Sequence, residues 1–335
     1  MIDKGIIMKK ILLCLALSSP IINSAETDQF YARDAVIRDS ANELNGYFQE
    51  KIELAIDKSN RAKQSLDCRE VALNVFTQVL GEFDIGEYVQ DKTFSKVSYF
   101  TQTDLSIERF PADNFAEKNY RADSIYKKRT YPSNLVGIAR TINVDGIYMG
   151  TDKIGHFSII GKTYYKNFLA ALKNGKTPEQ ATEIAINKGI KQEIAFLGYA
   201  IGGVMAYGDL EANFQGLMFA RNMCEGSAPH IIFKNNQWKQ NPENLFNIKD
   251  YVNPKFDESF NVSLWSPSAW GKMKNEIITG YCLNRVNSNY KKRVESYLPR
   301  IKETINDKII NQFLVQNKKF DRKNQLLSPN FQCPK

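Results

Sequence analysis

The stretch GTDKIGHFSIIGKTYYKNFLAALKNGKTPEQA, residues 150–181, decides the fold. Apolar residues recur through its first half at the three- and four-residue spacing of one helix face. Gly175 then stops that helix, Thr177 caps the next, and Pro178 suits its first turn. The pattern predicts a helix from about Asp152 to Leu172 and a second from Pro178 to about Tyr207. A third opens at GDLEANFQG and reaches about Cys224, so residues 149–223 read as a helical core.

Upstream of this core, Ala35, Ile37, Leu44, Phe48, Ile52, Leu54 and Ile56 recur among charges and predict a helix within 31–65, with another over 67–81. Between 84 and 145, Phe, Tyr, Thr, Ser and Val mix with Pro111 and Pro132 without a sustained period, which predicts short strands and long loops. Downstream, the Asn- and Pro-rich segment 226–270 reads as an ordered loop anchored by Trp238, Phe246, Phe256, Phe260 and Trp265. Helices are expected over 267–295 and 298–315, before a polar tail that ends near Cys333. No solenoid period is present. The expected fold class is therefore mainly α, a single domain over 26–335 with minor strand and loop elaborations and C-terminal helices in 267–315.

The first 25 residues stand apart. Met8, Lys9 and Lys10 precede an apolar run from Ile11 to Leu17, and Ser18, Ser19 and Pro20 lead to the small-residue end Asn23-Ser24-Ala25. These are the charged, apolar and cleavage regions of a secretory signal peptide, with cleavage expected after Ala25. Cys14 follows Leu13 inside the apolar region, so a lipoprotein anchor does not fit. Removing residues 1–25 takes three lysines and one aspartate from the chain's net charge of +8 and leaves +6. So mild an excess, without an arginine-rich block or nucleic-acid motif, suits anionic envelope surfaces and argues against nucleic acid as a partner. The longest uncharged apolar run of the mature chain, Ile194 to Gly208, falls short of the ~20 residues of a membrane-crossing helix and holds four glycines, so no transmembrane span is expected. Cys68, Cys224, Cys282 and Cys333 remain after cleavage; an exported chain would pair them as two disulfides, in any of three connectivities.

Gly161-Lys162-Thr163 resembles the end of a phosphate-binding loop, but five residues rather than four separate Gly155 from Gly161, and the segment reads as helix. Nucleophile-elbow, paired-histidine and Cys-x-x-Cys motifs are missing. What remains is a set of polar residues on apolar helix faces. Asp152 and His156 are four apart and stack on one face. Glu193 interrupts the apolar row Ile186, Ile190, Leu197, Ala200 and Val204, where an unpartnered charge is costly. Asp209, Asn213, Gly216 and Ala220 share a face of small residues. Three neighbouring antiparallel helices could bring Asp152, His156, Glu193, Asp209 and Asn213 to one buried centre. Asp152, His156, Glu193 and Asp209 could hold a divalent metal that activates water. Without a metal, Glu193 and His156 could act as acid and base, with Lys153 or Asn213 steadying an anion.

A structural reading stands beside this one. Each aspartate opens a helix and could serve as its N-cap, His156 could be a packed ring, and Glu193 could pair with Lys153 or Lys162. His230 reads as structural; Asp257 and Glu258 could contribute carboxylates from a loop but read first as turn or salt-bridge residues; and Trp265 and Trp270 could line a groove but read first as core anchors.

At GTDKIGHF and GYAIGGVMAYGDLEANFQGLMF the chain resembles a group of uncharacterised exported bacterial proteins, over about 130–285. The shorter Asp152-Lys153-x-x-His156 core is similar to a motif of VanZ-like and YfiM-like envelope proteins. The resemblance implies a bacterial envelope setting and brings no established reaction with it. The expected function is that of an exported periplasmic or secreted protein that hydrolyses an envelope substrate at the buried Asp/His/Glu/Asp centre. The alternative is a noncatalytic envelope protein that binds lipid, peptidoglycan or a protein partner.

Overall fold

The computed structural model describes residues 26–28, 30–62, 67–81, 95–129, 137–200, 202–317 and Cys333. The expected signal segment and parts of the expected strand-and-loop region, 84–94 and 130–136, lie outside these residues. The fold is mainly helical with short strands, as the periodicity predicts.

The central element is α8, Tyr207–Asn222, which is buried on nearly all its faces. Around it pack α5, Asp152–Gly155; α6, Gly161–Lys173; and α7, Pro178–Gln192. Thr177 and Gln180 form a capping box at the start of α7, and Pro178 occupies its first turn, as the sequence indicates. Gly161 of α6 and Gly216 of α8 meet backbone to backbone: a Cβ on Gly216 would collide with the Phe157 carbonyl and lie 2.8 Å from the Gly161 Cα. Behind this crossing, Phe48, Phe157, Phe219, Phe246 and Tyr251 interlock edge-on and stacked, with ring centroids 4.9–5.8 Å apart. Each fully buried ring contributes about 1.5–3 kcal/mol.

Two π-helical turns interrupt the helices, His156–Ile160 between α5 and α6, and Glu193–Leu197 after α7. The second helix thus ends well short of the expected Tyr207. Gly198, Gly202 and Gly203, the last at φ +77°, turn the chain into a short strand, β5, Val204–Met205, which pairs with β8, Leu264–Trp265.

Helix α1, Ala41–Asn60, and helix α2, Cys68–Leu80, pair against the core. The aromatic region is less strand-like than expected: it contains α3, Lys96–Thr103, and α4, Glu117–Asp123. Its strands are β2, Ile138–Ala139; β3, Thr141–Val144; and β4, Ile147–Gly150. Asp145 and Gly146, both at positive φ, make the tight turn of the β3–β4 hairpin, which delivers the chain to Asp152. Strand β1, Glu26–Thr27, pairs parallel with β2.

The 226–270 loop carries one regular hairpin, β6, Ile231–Lys234, with β7, Gln237–Gln240. The expected 267–295 helix is two, α9, Pro267–Val286, and α10, Ser288–Tyr297, because Asn287 turns extended and caps the second. The last helix, α11, Ile305–Gln316, starts later than expected, after a capping box at Thr304. The disulfides join Cys68 to Cys224 and Cys282 to Cys333. The first ties α2 to the end of α8.

Candidate functional site

Asp152 follows the β3–β4 hairpin, and its carboxylate turns inward to meet strand β1. Thr27 Oγ1 donates to Asp152 Oδ1 at 2.9 Å, and Lys153 Nζ donates to Asp152 Oδ2 at 2.6 Å. The same ammonium lies 2.7 Å from Asp209 Oδ1 and 3.0 Å from Glu258 Oε1. Lys153 is fully buried, and its three N–H donors face three carboxylates. Burial alone would push its pKa down; Asp152, Asp209 and Glu258 together hold it well above the ordinary lysine value.

His156 sits one turn on from Asp152. Its Nε2 stands 3.3 Å from Asp209 Oδ2 and its Nδ1 3.1 Å from Asn213 Oδ1, so both ring nitrogens are engaged. Ligand atoms of Asp152, His156 and Asp209 all lie within 4.8 Å of one another. The glycines that precede these aspartates make the approach feasible. A Cβ on Gly150 would collide with Thr27 Oγ1 and Asp152 Oδ1. One on Gly208 would press 3.0 Å from Glu258 Cγ and 3.1 Å from Lys153 Cε. The Gly-Thr-Asp and Gly-Asp-Leu elements are therefore packing requirements of the centre.

Neither aspartate caps its helix. The N-cap positions of α5 and α8 are Thr151 and Ala206, without side-chain caps, and both carboxylates go to the centre. Capping is overridden because the Lys153 ammonium offers Asp152 a charged hydrogen bond and Asp209 an ion pair, where a backbone N–H offers a neutral bond. Lys162, the other cation considered for Glu193, instead donates to Thr77 Oγ1.

Glu193 opens the second π turn. It is 1 % exposed, and neither carboxylate oxygen has a hydrogen bond of ordinary geometry among the described residues. Burial, with Asp209 and Glu26 beside it, raises its pKa well above the usual carboxylate range, opposed by Lys153 and the Ala206 backbone N–H. Gly198 leaves its space: a Cβ there would collide with Glu193 Oε1. Both π turns begin at a residue of the centre, His156 and Glu193, and such turns are rare and concentrated at functional sites.

Sequence reasoning missed Glu26, Thr27 and Arg129. Glu258, read as a turn or salt-bridge residue, forms a buried salt bridge with Lys153, and burial raises its pKa well above the ordinary value. Glu26 and Thr27 lie where a mature chain would begin, a region usually frayed. Burial pushes the Glu26 carboxyl up to about 7, although Arg129 lies 3.6 Å away. Arg129 itself is buried, stacks on the Tyr126 ring, and has no hydrogen-bond partner for its guanidinium among the described residues. The only available signal was the Asp145-Gly146 hairpin, which points Asp152 back toward a neighbouring strand.

The remaining candidates fall where expected. His230 is held by the Asn244 carbonyl and the Tyr251 hydroxyl. Asp257 accepts from Ser259 and Tyr297 and pairs with Arg293 at 3.5 Å. Trp265 is a core anchor.

Five carboxylates, those of Glu26, Asp152, Glu193, Asp209 and Glu258, thus influence one another around two permanent cations, Lys153 and Arg129. A narrow cleft of about 10 Å³, lined by Thr27, Gly150, Glu258 and Arg293 among others, leads toward them. That is room on the scale of one water. No helix of the described residues is long and apolar enough to cross a membrane. Comparison with protein-family models, curated proteins and solved structures gives no match.

Proposed function

We propose that this chain is an exported envelope protein that hydrolyses an ester, phosphoester or amide bond of an envelope component by acid–base chemistry at this centre. The observation that carries the reading is Glu193: a buried carboxyl raised well above its ordinary pKa, without a hydrogen bond of ordinary geometry, beside the Asp209–His156 pair. A buried carboxyl that burial keeps protonated is a group suited to act as a general acid. Protonated Glu193 gives its proton to the leaving atom. Asp209, with His156 against it, takes the proton of the attacking water, and that proton returns to Glu193 after turnover. Lys153 lies against the negative charge that develops. A substrate larger than water reaches the centre when β1 or the loop carrying Glu258 moves aside.

A metal on Asp152, His156 and Asp209 is the less favoured form of the reading. Their mutual distances suit an ion, but Asp152 and Asp209 already share the Lys153 ammonium, which stands in the place of a cation. A noncatalytic binding protein is the second reading, favoured by one observation: every side chain of the centre is buried.

The test compares the wild type with Glu193→Gln against phospholipid vesicles, peptidoglycan and simple ester substrates. The proposal expects hydrolysis to fall about 100-fold or more while stability holds or rises, because a strained acidic site is relieved. Lost stability with no hydrolysis by the wild type would move the assignment to the binding protein.

A further inference from the structure

We propose that cleavage after Ala25 completes this centre: the α-amino group it frees on Glu26 becomes a third fixed cation beside Lys153 and Arg129. The inference rests on the export reading above and is independent of the hydrolytic one. In the cut, water adds across the Ala25–Glu26 amide, the new carboxylate leaves with the leader, and the Glu26 nitrogen takes the proton.

The first residues of a mature chain are ordinarily frayed and solvated. Here Glu26 is 3 % exposed and already paired in a strand, its N–H donating to the Gly137 carbonyl at 3.1 Å. Its carboxylate packs over Gly202, where a Cβ would come 2.8 Å from Oε1, and the next residue, Thr27, donates directly to Asp152. A chain start built this tightly into a charged centre places its terminal charge there. The centre also holds three carboxyls that burial raises, those of Glu26, Glu193 and Glu258, and a further cation beside them would let them ionise at less cost. An uncut chain offers one neutral N–H at Glu26. The cut chain offers an ammonium with three donors.

The titratable and charged groups that surround Glu26 are Arg129 and Tyr126 after α4, Asp152 and Lys153 on α5, Glu193 on the second π turn, Asp209 on α8 and Glu258 on the 257–260 loop. The acids outnumber the bases among them, which favours the ammonium over the free amine. An amine whose folded pKa is raised contributes stability that is full below its unfolded value, about 8, and is lost as pH rises through the folded value.

The experiment begins with N-terminal sequencing and intact mass of the exported protein; a mature start anywhere but Glu26 overturns the proposal through the export reading. Two full-length mature forms are then released from a fusion by a site-specific protease, one starting at Glu26 and one at Ser24. At about pH 7 the Glu26 form should melt about 5 °C or more higher, with the gap closing as pH rises above about 9. In the folded Glu26 form, the amine should react with acetic anhydride about 100-fold more slowly than in the urea-unfolded chain. This second measurement stands even if the Ser24 form does not fold. Equal melting profiles for the two forms, or an amine that reacts at the unfolded rate, would refute a place for the terminus in the centre.

Discussion

Replacing Lys153 with methionine removes one charge while keeping a side chain of similar length. The ammonium serves Asp152, Asp209 and Glu258 at 2.6, 2.7 and 3.0 Å, with every partner nearly sealed from water. Removing one partner of a buried ion pair costs about 3–5 kcal/mol, because the other charge is left desolvated. Here one cation serves three carboxylates, so that range is a lower bound. Against a total stability of about 5–15 kcal/mol the loss is large, and for a chain of this size it corresponds to a fall in Tm of roughly 10 °C. The deficit depends on pH in a definite direction. Without Lys153, which opposes the rise at Glu258 and Glu193, those two carboxyls are raised further in the folded state, so the folded state holds protons that the unfolded state releases. Their penalty vanishes below the unfolded carboxyl value, near pH 4, and grows as pH rises toward and through the raised folded values. Urea titrations of wild type and Lys153→Met at about pH 5 and about pH 7.5 should give a small difference at the lower pH and the full one at the higher. A variant within about 1 kcal/mol of wild type at pH 7.5 would place these contacts with exposed ion pairs and refute the argument.

The remaining predictions concern the frame and the ions. Gly216→Ala should cost about 3 kcal/mol or more in chemical denaturation, since its methyl group meets backbone atoms of Phe157 and Gly161 that cannot rotate away. A variant as stable as wild type would mean that α6 and α8 separate freely. Replacing Cys68 and Cys224 by serine should cost roughly 2–5 kcal/mol, because the bridge closes a loop of 156 residues and ties α2 to α8; unchanged melting would show that packing alone holds that contact. Elemental analysis of protein purified without chelator or metal-affinity resin should give well under about one divalent ion per chain. About one ion per chain, lost in His156→Ala, would replace the acid–base mechanism with a metal-based one.

The helical core was legible because its signals are local. Gly175, Thr177 and Pro178 mark one junction, and the four-residue step from Asp152 to His156 predicts a shared face. Glu193 stood out as a charge on an apolar row, and Asp209 and Asn213 as polar residues on a small-residue face. The structure brings Asp209 against Lys153 and His156, and Asn213 against His156, while Glu193 feels Asp209 and Lys153 through their charge alone. What could not be read was non-local or irregular. The partner that Glu258 reaches from a loop without period could not be named, and Glu26 and Thr27 come from a two-residue strand with too few positions to form a pattern. The expected N-caps failed because propensity weighs an aspartate only against its own helix, whereas here a lysine and a distant threonine outcompete the backbone. The helix expected to reach Tyr207 failed similarly: the run from Ile194 to Gly208 is apolar throughout, and periodicity does not register a π turn or the reversal at Gly203.

Those π turns also bear on how the chain tolerates length changes. A π turn amounts to an α-helix into which one additional residue has been wound, and one residue of an α-helix corresponds to about 100° of rotation. At His156–Ile160 the surplus residue sets the phase between two surfaces of one continuous rod: the face bearing Asp152 and His156, and the face on which Gly161 meets Gly216. Deleting a single residue there would relax the rod to a regular helix and turn one surface away from its partner. A one-residue deletion there sacrifices either the glycine crossing or the centre.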